Sequence, residues 1–195
     1  QHDRLEAKVK GWGMGNESCL IDRRIIYGSP ASDSTWKMLD DFLFTIRTHG
    51  LGFRVRYGDI GGLIAVGVDS GYAAQDVYQY VKARSRRRFF ALKGDDGFDK
   101  RIIHRETFDK KFRARLLIVG VDTTKQVIYD RLKITEPRPG CMHFNQRADA
   151  EYFEQLVSER IVIKRLRGHP RKVWELPAGK RNEALDCESY ALAAY

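Results

Sequence analysis

Cysteine is scarce in this sequence: three residues in 195, at Cys19, Cys141 and Cys187, with no CxxC pair. An odd and widely spaced set supplies neither a disulfide framework nor a four-ligand zinc site, and fits free thiols in a reducing compartment. The five histidines are scattered and form no HExxH or HxxxH pattern. No GxxxxGK[ST] string occurs, which excludes a P-loop, and no serine sits in GxSxG. Gly11-Trp12-Gly13-Met14-Gly15 is not followed by a helical pattern, so it reads as a hairpin turn and not as a dinucleotide fingerprint. No apolar run approaches the roughly 20 residues of a membrane span. Gln1-His2-Asp3-Arg4 carries no signal-peptide pattern. The expectation is a protein that is neither secreted nor embedded in a membrane.

Positive charge, by contrast, is abundant. Lys and Arg number 35 against 26 Asp and Glu, a formal charge of +9, in a chain that is 43% hydrophobic. That balance predicts one folded domain with a polyanionic partner. The charge is clustered. Lys82, Arg84, Arg86, Arg87, Arg88 and Lys93 fall together with no acid between them. A second group runs from Lys100 to Arg115, and a third comprises Lys164, Arg165, Arg167, Arg171 and Lys172, with His169 among them. Each cluster alone is as readily a solvated face as a phosphate-binding surface. Arg86, Arg87 and Arg88 together with the third cluster are the candidate nucleic-acid contacts, because arginine favours bidentate phosphate contacts.

Residues 4–11 alternate apolar Leu5, Ala7 and Val9 with Glu6, Lys8 and Lys10, the period-2 pattern of a half-buried strand. With residues 18–27 they predict an antiparallel hairpin. Asp33 or Ser34 then caps a helix carrying Trp36, Leu39, Phe42, Leu43 and Ile46 on one stripe, with Gly50 beyond its end. Residues 63–68 and 115–121 read as buried strands, 89–92 as a short strand, and 94–112 as an irregular loop. Helices are expected at 74–83, 123–132, 149–159 and 182–194. Residues 161–166 and 172–176 alternate as a basic two-stranded ribbon. The fold class that follows is α/β, a mixed sheet with helices on both faces.

Three carboxylates fall where chemistry is possible. Asp69 ends the 63–68 run, Asp122 ends the 115–121 run, and Asp186 lies on the last helix, one turn beyond Glu183. Strand ends open onto the crevice where α/β sheets bind ligands. Carboxylates gathered there repel one another unless a hard cation such as Mg²⁺ or Mn²⁺ joins them. Plainer roles stay open: Asp122-Thr123-Thr124 suits a helix cap, Asp69-Ser70-Gly71 suits a turn, and Asp186 needs only a partner if buried. Carboxylates beside basic clusters point to metal-dependent cleavage of a phosphodiester.

The string Arg181-Asn182-Glu183-Ala184-Leu185-Asp186-Cys187, continuing to Tyr190-Ala191-Leu192-Ala193-Ala194, resembles the C-terminal signature of the large terminase subunit of lambda-like tailed phages. Upstream strings agree in order: Gly11-Trp12-Gly13, Asp69-Ser70-Gly71, Lys93-Gly94, Val119-Gly120-Val121-Asp122 with Lys125, Pro139-Gly140 and His143-Phe144. The resemblance implies an RNase H-like sheet flanked by helices, with residues 1–195 forming a single nuclease domain. It implies cleavage of double-stranded concatemeric viral DNA during packaging. Asp69 and Asp186 match metal-binding aspartates for Mg²⁺ or Mn²⁺, two ions in all, and Glu183 joins them as a catalytic candidate. The family's first strand, with a further catalytic aspartate, precedes the segment matching Gln1, as does an ATPase motor domain.

The expected partners are duplex DNA, that ATPase domain, the small terminase subunit and the portal of the procapsid. The setting is the host bacterial cytoplasm, with no membrane contact. Two rivals accompany this reading: a DNA-binding or assembly module with an incomplete nuclease site, and an RNase H-like resolvase.

Overall fold

The computed structural model describes residues 3–48, 54–55, 58–59, 63–166 and 168–195. Gly50 and Arg167 lie outside the described residues, as does the side chain of Ile46. The chain opens with the expected hairpin. Strands β1 (Arg4–Trp12) and β2 (Ser18–Tyr27) pair antiparallel from Arg4↔Tyr27 to Trp12↔Ser18, with a bulge between Val9 and Lys10. Their turn is a 3₁₀ turn at Met14–Asn16, in which Gly15 takes φ 65°.

Helix α1 (Asp33–Thr48) follows, then a short ladder of β3 (Arg54–Val55) and β4 (Gly58–Asp59). Next come β5 (Val66–Asp69), α2 (Ala74–Ala83), β6 (Phe89–Asp95), β7 (Ile103–Phe108) and β8 (Arg115–Gly120). The chain ends with α3 (Val121–Leu132), β9 (Met142–His143), α4 (Ala150–Leu156), the ribbon strands β10 (Arg160–Leu166) and β11 (His169–Glu175), and α5 (Glu183–Ala194). Asp149 caps α4, its carboxylate accepting the Tyr152 N–H at 2.8 Å.

Two main sheets result. One has the order β1-β2-β9, and the other β5-β6-β8-β7, in which β5, β6 and β8 are parallel and β7 is antiparallel at the edge. Strand alternation divides the core into layers. Leu116 and Ile118 of β8 join Val9, Trp36, Leu39, Phe42, Leu43, Val77 and Val81 beneath α1 and α2. Leu117 and Val119 point the other way, to Ala193 of α5. A further cluster gathers Ile128, Tyr152, Leu156, Leu185 and Leu192 from α3, α4 and α5. Helices therefore cover both faces, as the α/β pattern predicts. Gly67 leaves room for the Leu92 side chain of the neighbouring strand β6, which a Cβ at this position would meet.

Several expectations change. Residues 94–112 are not one irregular loop: β6 extends to Asp95, and β7 pairs with the strand that follows it, β8, in an antiparallel hairpin that the polar, non-alternating 103–108 sequence does not announce. The 63–68 run is not a buried strand. Only Val66–Asp69 pairs, and it is half-buried because one of its edges and a flank face a cleft. The α3 helix begins at Val121, so Asp122 lies inside its first turn and the cap position is Gly120. The ribbon begins and ends one residue earlier than its alternation suggests, and Pro170 sits within β11 opposite Arg165.

The largest change concerns β1. Its polar face is not solvated. The side chains of Lys8 and Lys10 are 3% and 2% exposed, and both clasp Glu188 of α5, itself 2% exposed. Lys8 Nζ reaches Glu188 Oε2 at 2.7 Å and donates to the Ala184 carbonyl at 3.0 Å, while Lys10 Nζ binds Glu188 Oε1. Burial opposes ionisation of Glu188, but the two ammonium groups outweigh it and hold the carboxyl below its ordinary 4.5. Burial likewise opposes the charge on Lys8, and Glu188 overcomes it, raising Lys8 above 10.5.

The signs fix the pH response. Glu188 contributes stability that is fully present above about pH 4.5 and is lost as the pH falls through its lower folded value. The contribution of Lys8 is fully present below 10.5 and is lost only as the pH rises through its folded value. Replacing Glu188 by Gln leaves two buried ammonium groups facing a neutral amide. The expected cost is about 3–5 kcal/mol of unfolding free energy in urea at pH 7, with a weaker acid-side fall in stability than in the parent chain. A loss below about 1 kcal/mol would contradict this account.

Candidate functional site

Strands β1 and β5 are terminal strands of their sheets, and a cleft of about 1550 Å³ separates them. Both strands line it along their length. Trp36, Leu39 and Leu43 of α1 line it too, as do Cys187, Tyr190 and Ala191 of α5. The side chains Glu6, Asp69, Asn182, Glu183 and Asp186 all border this one cleft, so the structure brings together the three carboxylates expected to act.

Asp69 stands at the carboxyl end of β5, at the opening that parallel strands leave for ligands. Its Oδ1 accepts the Gly71 N–H at 2.9 Å and the Tyr190 hydroxyl at 3.2 Å. The turn reading of Asp69-Ser70-Gly71 is realised, and the aspartate also borders the cleft. A Cβ on Gly71 would sit 3.3 Å from Asp69 Oδ1, so the bare backbone lets the carboxylate lie over it.

Asp186 and Tyr190 are four residues apart on α5 and share a face. The Asp186 side chain is 45% exposed, yet desolvation by the surrounding α5 and α3 groups dominates its titration and pushes its carboxyl up to about 6. Lys125 pulls in the opposite direction, while Glu159, Asp69 and Glu183 add to the rise. The Tyr190 hydroxyl is raised by burial and then by Asp69 and Asp186.

Lys125 Nζ lies 3.8 Å from Asp186 Oδ1 and donates to both oxygens of Glu159, at 2.6 and 2.8 Å. Asn182 Nδ2 also donates to Glu159 Oε1 at 2.8 Å.

Glu183 takes a different place. Its carboxylate accepts from Arg181 Nε at 3.1 Å, and Arg181 also binds Glu6 at 2.6 Å and Glu151 at 3.0 Å. Burial raises Glu6, and Glu183 adds to the rise. Asp122 is buried and accepts the Gly97 N–H at 2.8 Å, fixing the loop after β6.

The basic candidates separate. Arg86, Arg87 and Arg88 precede β6, at the end opposite Asp69, since Val66 pairs with Phe89 and Asp69 with Leu92. Arg87 stacks over Phe44 at 4.8 Å. The ribbon leaves the site directly, because Arg160 follows Glu159. Trp174 Nε1 ties it to the Asp122 carbonyl at 3.2 Å, and Trp174 packs against Tyr129 at 4.7 Å between centroids. Arg165, Arg171 and Lys172 are exposed, whereas Lys164 pairs with Glu175 at 2.9 Å.

Tyr190, Glu159 and the part played by Lys125 escaped the reading of the sequence. The four-residue spacing of Asp186 and Tyr190 was an available signal. Nothing local marks Glu159.

The mixed, helix-flanked sheets, with Asp69 at the end of a parallel strand and Asp186 on the helix beside it, are consistent with an RNase H-like nuclease domain. The chain belongs to the family described as "Terminase large subunit gpA, endonuclease domain", which it matches over residues 1–195. It is 33% identical over 205 residues to the large terminase subunit of Escherichia phage lambda and 31% identical over 208 residues to that of Enterobacteria phage P21. Each comparison covers 100% of this chain and 30% of the relative, so the chain spans about a third of the length of these curated relatives. No solved structure matches it significantly.

Because the Asp186 carboxyl titrates near 6, against an ordinary 3.8, its ionisation opposes folding above about pH 4, increasingly so up to and beyond 6. Asp186→Asn should therefore raise the melting temperature at pH 7.5. Discounted for partial exposure, the gain is about 1 kcal/mol, or about 2–4 °C for a chain of this size. The gain should shrink at pH 4.5. Thermal melts at both pH values check this, and an equal gain at both would contradict it.

Proposed function

We propose that this domain is a divalent-metal-dependent endonuclease that cuts double-stranded viral DNA concatemers during genome packaging. The observation that carries the proposal is the placement of Asp69 and Asp186 on one cleft in a chain of the terminase endonuclease family. Their hard oxygen donors suit Mg²⁺ or Mn²⁺, and a cation would favour the ionised form of Asp186, which burial and then the neighbouring carboxylates oppose. When bound, such ions would activate a water and neutralise charge developing on the phosphate. Tyr190 restrains the Asp69 carboxylate, while Glu183, held by Arg181, orients groups at the rim of the site. The exposed Arg165, Arg171 and Lys172 of the ribbon hold duplex backbone, with Lys164 beside them, and Arg86, Arg87 and Arg88 give a second, more distant contact.

Among the described residues no group of three His, Cys, Asp or Glu is placed to hold an ion. The cleft suggests where another donor enters. A strand in a sheet covered on both faces fills about 160 Å³ per residue, from spacings of about 4.8 and 10 Å and a rise of about 3.3 Å. The cleft of 1550 Å³ therefore accommodates a strand about as long as the nine-residue β1, between two sheet edges that lack partners among the described residues. A strand from elsewhere in the polypeptide, bearing the further aspartate that the family resemblance implies, would fit there. On this reading an ATPase domain of the same polypeptide, the small terminase subunit and the procapsid portal are the partners, in the host cytoplasm. Among the described residues no helix is long and apolar enough to cross a membrane.

Supercoiled plasmid incubated with Mn²⁺ should be nicked, and chelator should stop it. Asp69→Asn and Asp186→Asn should each reduce nicking at least about a hundredfold while duplex binding stays within about threefold. Full binding without nicking by the parent chain would favour the rival reading, a DNA-binding module with an incomplete site. Branched and hybrid substrates cut in preference to plain duplex would favour a resolvase.

Arg171→Ala and Lys172→Ala should each lower the dependence of log affinity on log salt by about one. An unchanged slope would remove the ribbon from the interface. Amide exchange along β1 and β5 should slow when the polypeptide continues upstream of Gln1. Equal exchange with and without that extension would leave the cleft without its strand.

A further inference from the structure

Among the described residues Lys125 is the cation in ion-pair reach of Asp186, and it is held unusually firmly. Its side chain is 11% exposed, and two of its three N–H donors are spent on the two oxygens of Glu159, at 2.6 and 2.8 Å. Glu159 is 5% exposed and is also bound by Asn182, while its carbonyl accepts the Tyr129 hydroxyl at 2.5 Å. The α3–α4–α5 junction is thus tied by Asn182 and Tyr129 independently of the lysine. The third donor has no acceptor within hydrogen-bond distance among the described residues: Asp186 Oδ1, at 3.8 Å, is an ion-pair contact and lies beyond that limit. What results is a fixed, largely dehydrated positive charge with one unspent donor beside the carboxylates that border the cleft.

We infer that Lys125 is a catalytic residue whose third N–H takes a non-bridging oxygen of the scissile phosphate. This rests on the phosphodiesterase reading of the site. Glu159 holds the ammonium in place before substrate arrives, so no reorganisation is needed as charge builds on the phosphate, and exclusion of water strengthens the contact. The lysine transfers no proton and forms no bond. Its part is to accept charge that Asp69 and Asp186, both anionic, cannot accept.

Two measurements test it. In the full 195-residue chain labelled with ¹⁵N-lysine, the Nζ resonance of Lys125, assigned by its loss in Lys125→Arg, should shift when a short duplex is added with Ca²⁺. In the Lys125→Met/Glu159→Gln double variant, which removes one buried charge of each sign, Mn²⁺-dependent nicking should fall about a hundredfold or more. Its Mn²⁺ affinity, read from the free-ion electron paramagnetic resonance signal, should stay within about threefold. Lys125→Arg should recover part of the loss.

A resonance that does not move while other lysines respond to duplex would overturn the proposal. So would nicking and Mn²⁺ affinity lost together, since the pair would then only shape the carboxylates. A parent chain that does not nick, but whose Lys125 resonance shifts with duplex, would retire the nuclease reading and leave the phosphate contact standing.

Discussion

The buried contact of Glu188 with Lys8 and Lys10 decides where helix α5 sits, and α5 decides the site. The three side chains lie between β1 and α5 with almost no exposure. Removing charge from water costs several kcal/mol per ion unless the geometry repays it, so a misplaced α5 would strand charge in the core. The helix is therefore fixed in rotation as well as position. Glu188 faces β1, Leu185 and Leu192 enter the core cluster, and Asp186 and Tyr190 are left on the side that meets β5. An apolar interface would tolerate sliding, whereas this one does not.

From that fixed helix the site is assembled by contacts of long sequence separation. Tyr190 reaches Asp69 across 121 residues, and Asn182 and Lys125 meet on Glu159 from opposite sides. The three expected carboxylates are each restrained: Asp69 by a hydroxyl, Asp186 by an ammonium, and Glu183 by a guanidinium that it shares with Glu6. The raised Asp186 carboxyl records the remaining imbalance. Stability is given up locally for a negatively charged pocket, and the buried charge cluster on another face of the same helix restrains the element that bears it.

Much of the fold was legible because it follows local rules. The hairpin, α1, α2, β8 and α5 each show a clear period, and their bounds are close to those expected. What failed was set by partners outside the segment itself. Ile103–Phe108 has no strand-like alternation, and its hairpin with the following strand β8 shows only in the fold. Met142–His143 joins β2 through two residues. The lysines of β1 are patterned like a solvated face, and nothing within 4–11 announces a glutamate more than 170 residues away. In the site, Asp69 and Asp186 were visible from strand-end and helix patterns, and family resemblance sharpened them. Their restraints were not visible: Glu159 follows a helix in a polar stretch, and only tertiary packing shows its two oxygens bound to Lys125.

The facing margins of β1 and β5 also bear on how the domain behaves in solution. A strand margin with unpaired amides and carbonyls is a template for any extended chain that meets it, and native proteins normally cover or charge such margins. Here two of them face one another across an apolar-walled gap, with Leu5, Ala7 and Val9 on one side and Val66 and Val68 on the other. Handled alone, the 195-residue domain carries a built-in invitation to self-association through backbone pairing. Its surplus positive charge, repelling like molecules at low ionic strength, is the main countervailing force. Salt, which weakens that repulsion, should make the domain less soluble on its own.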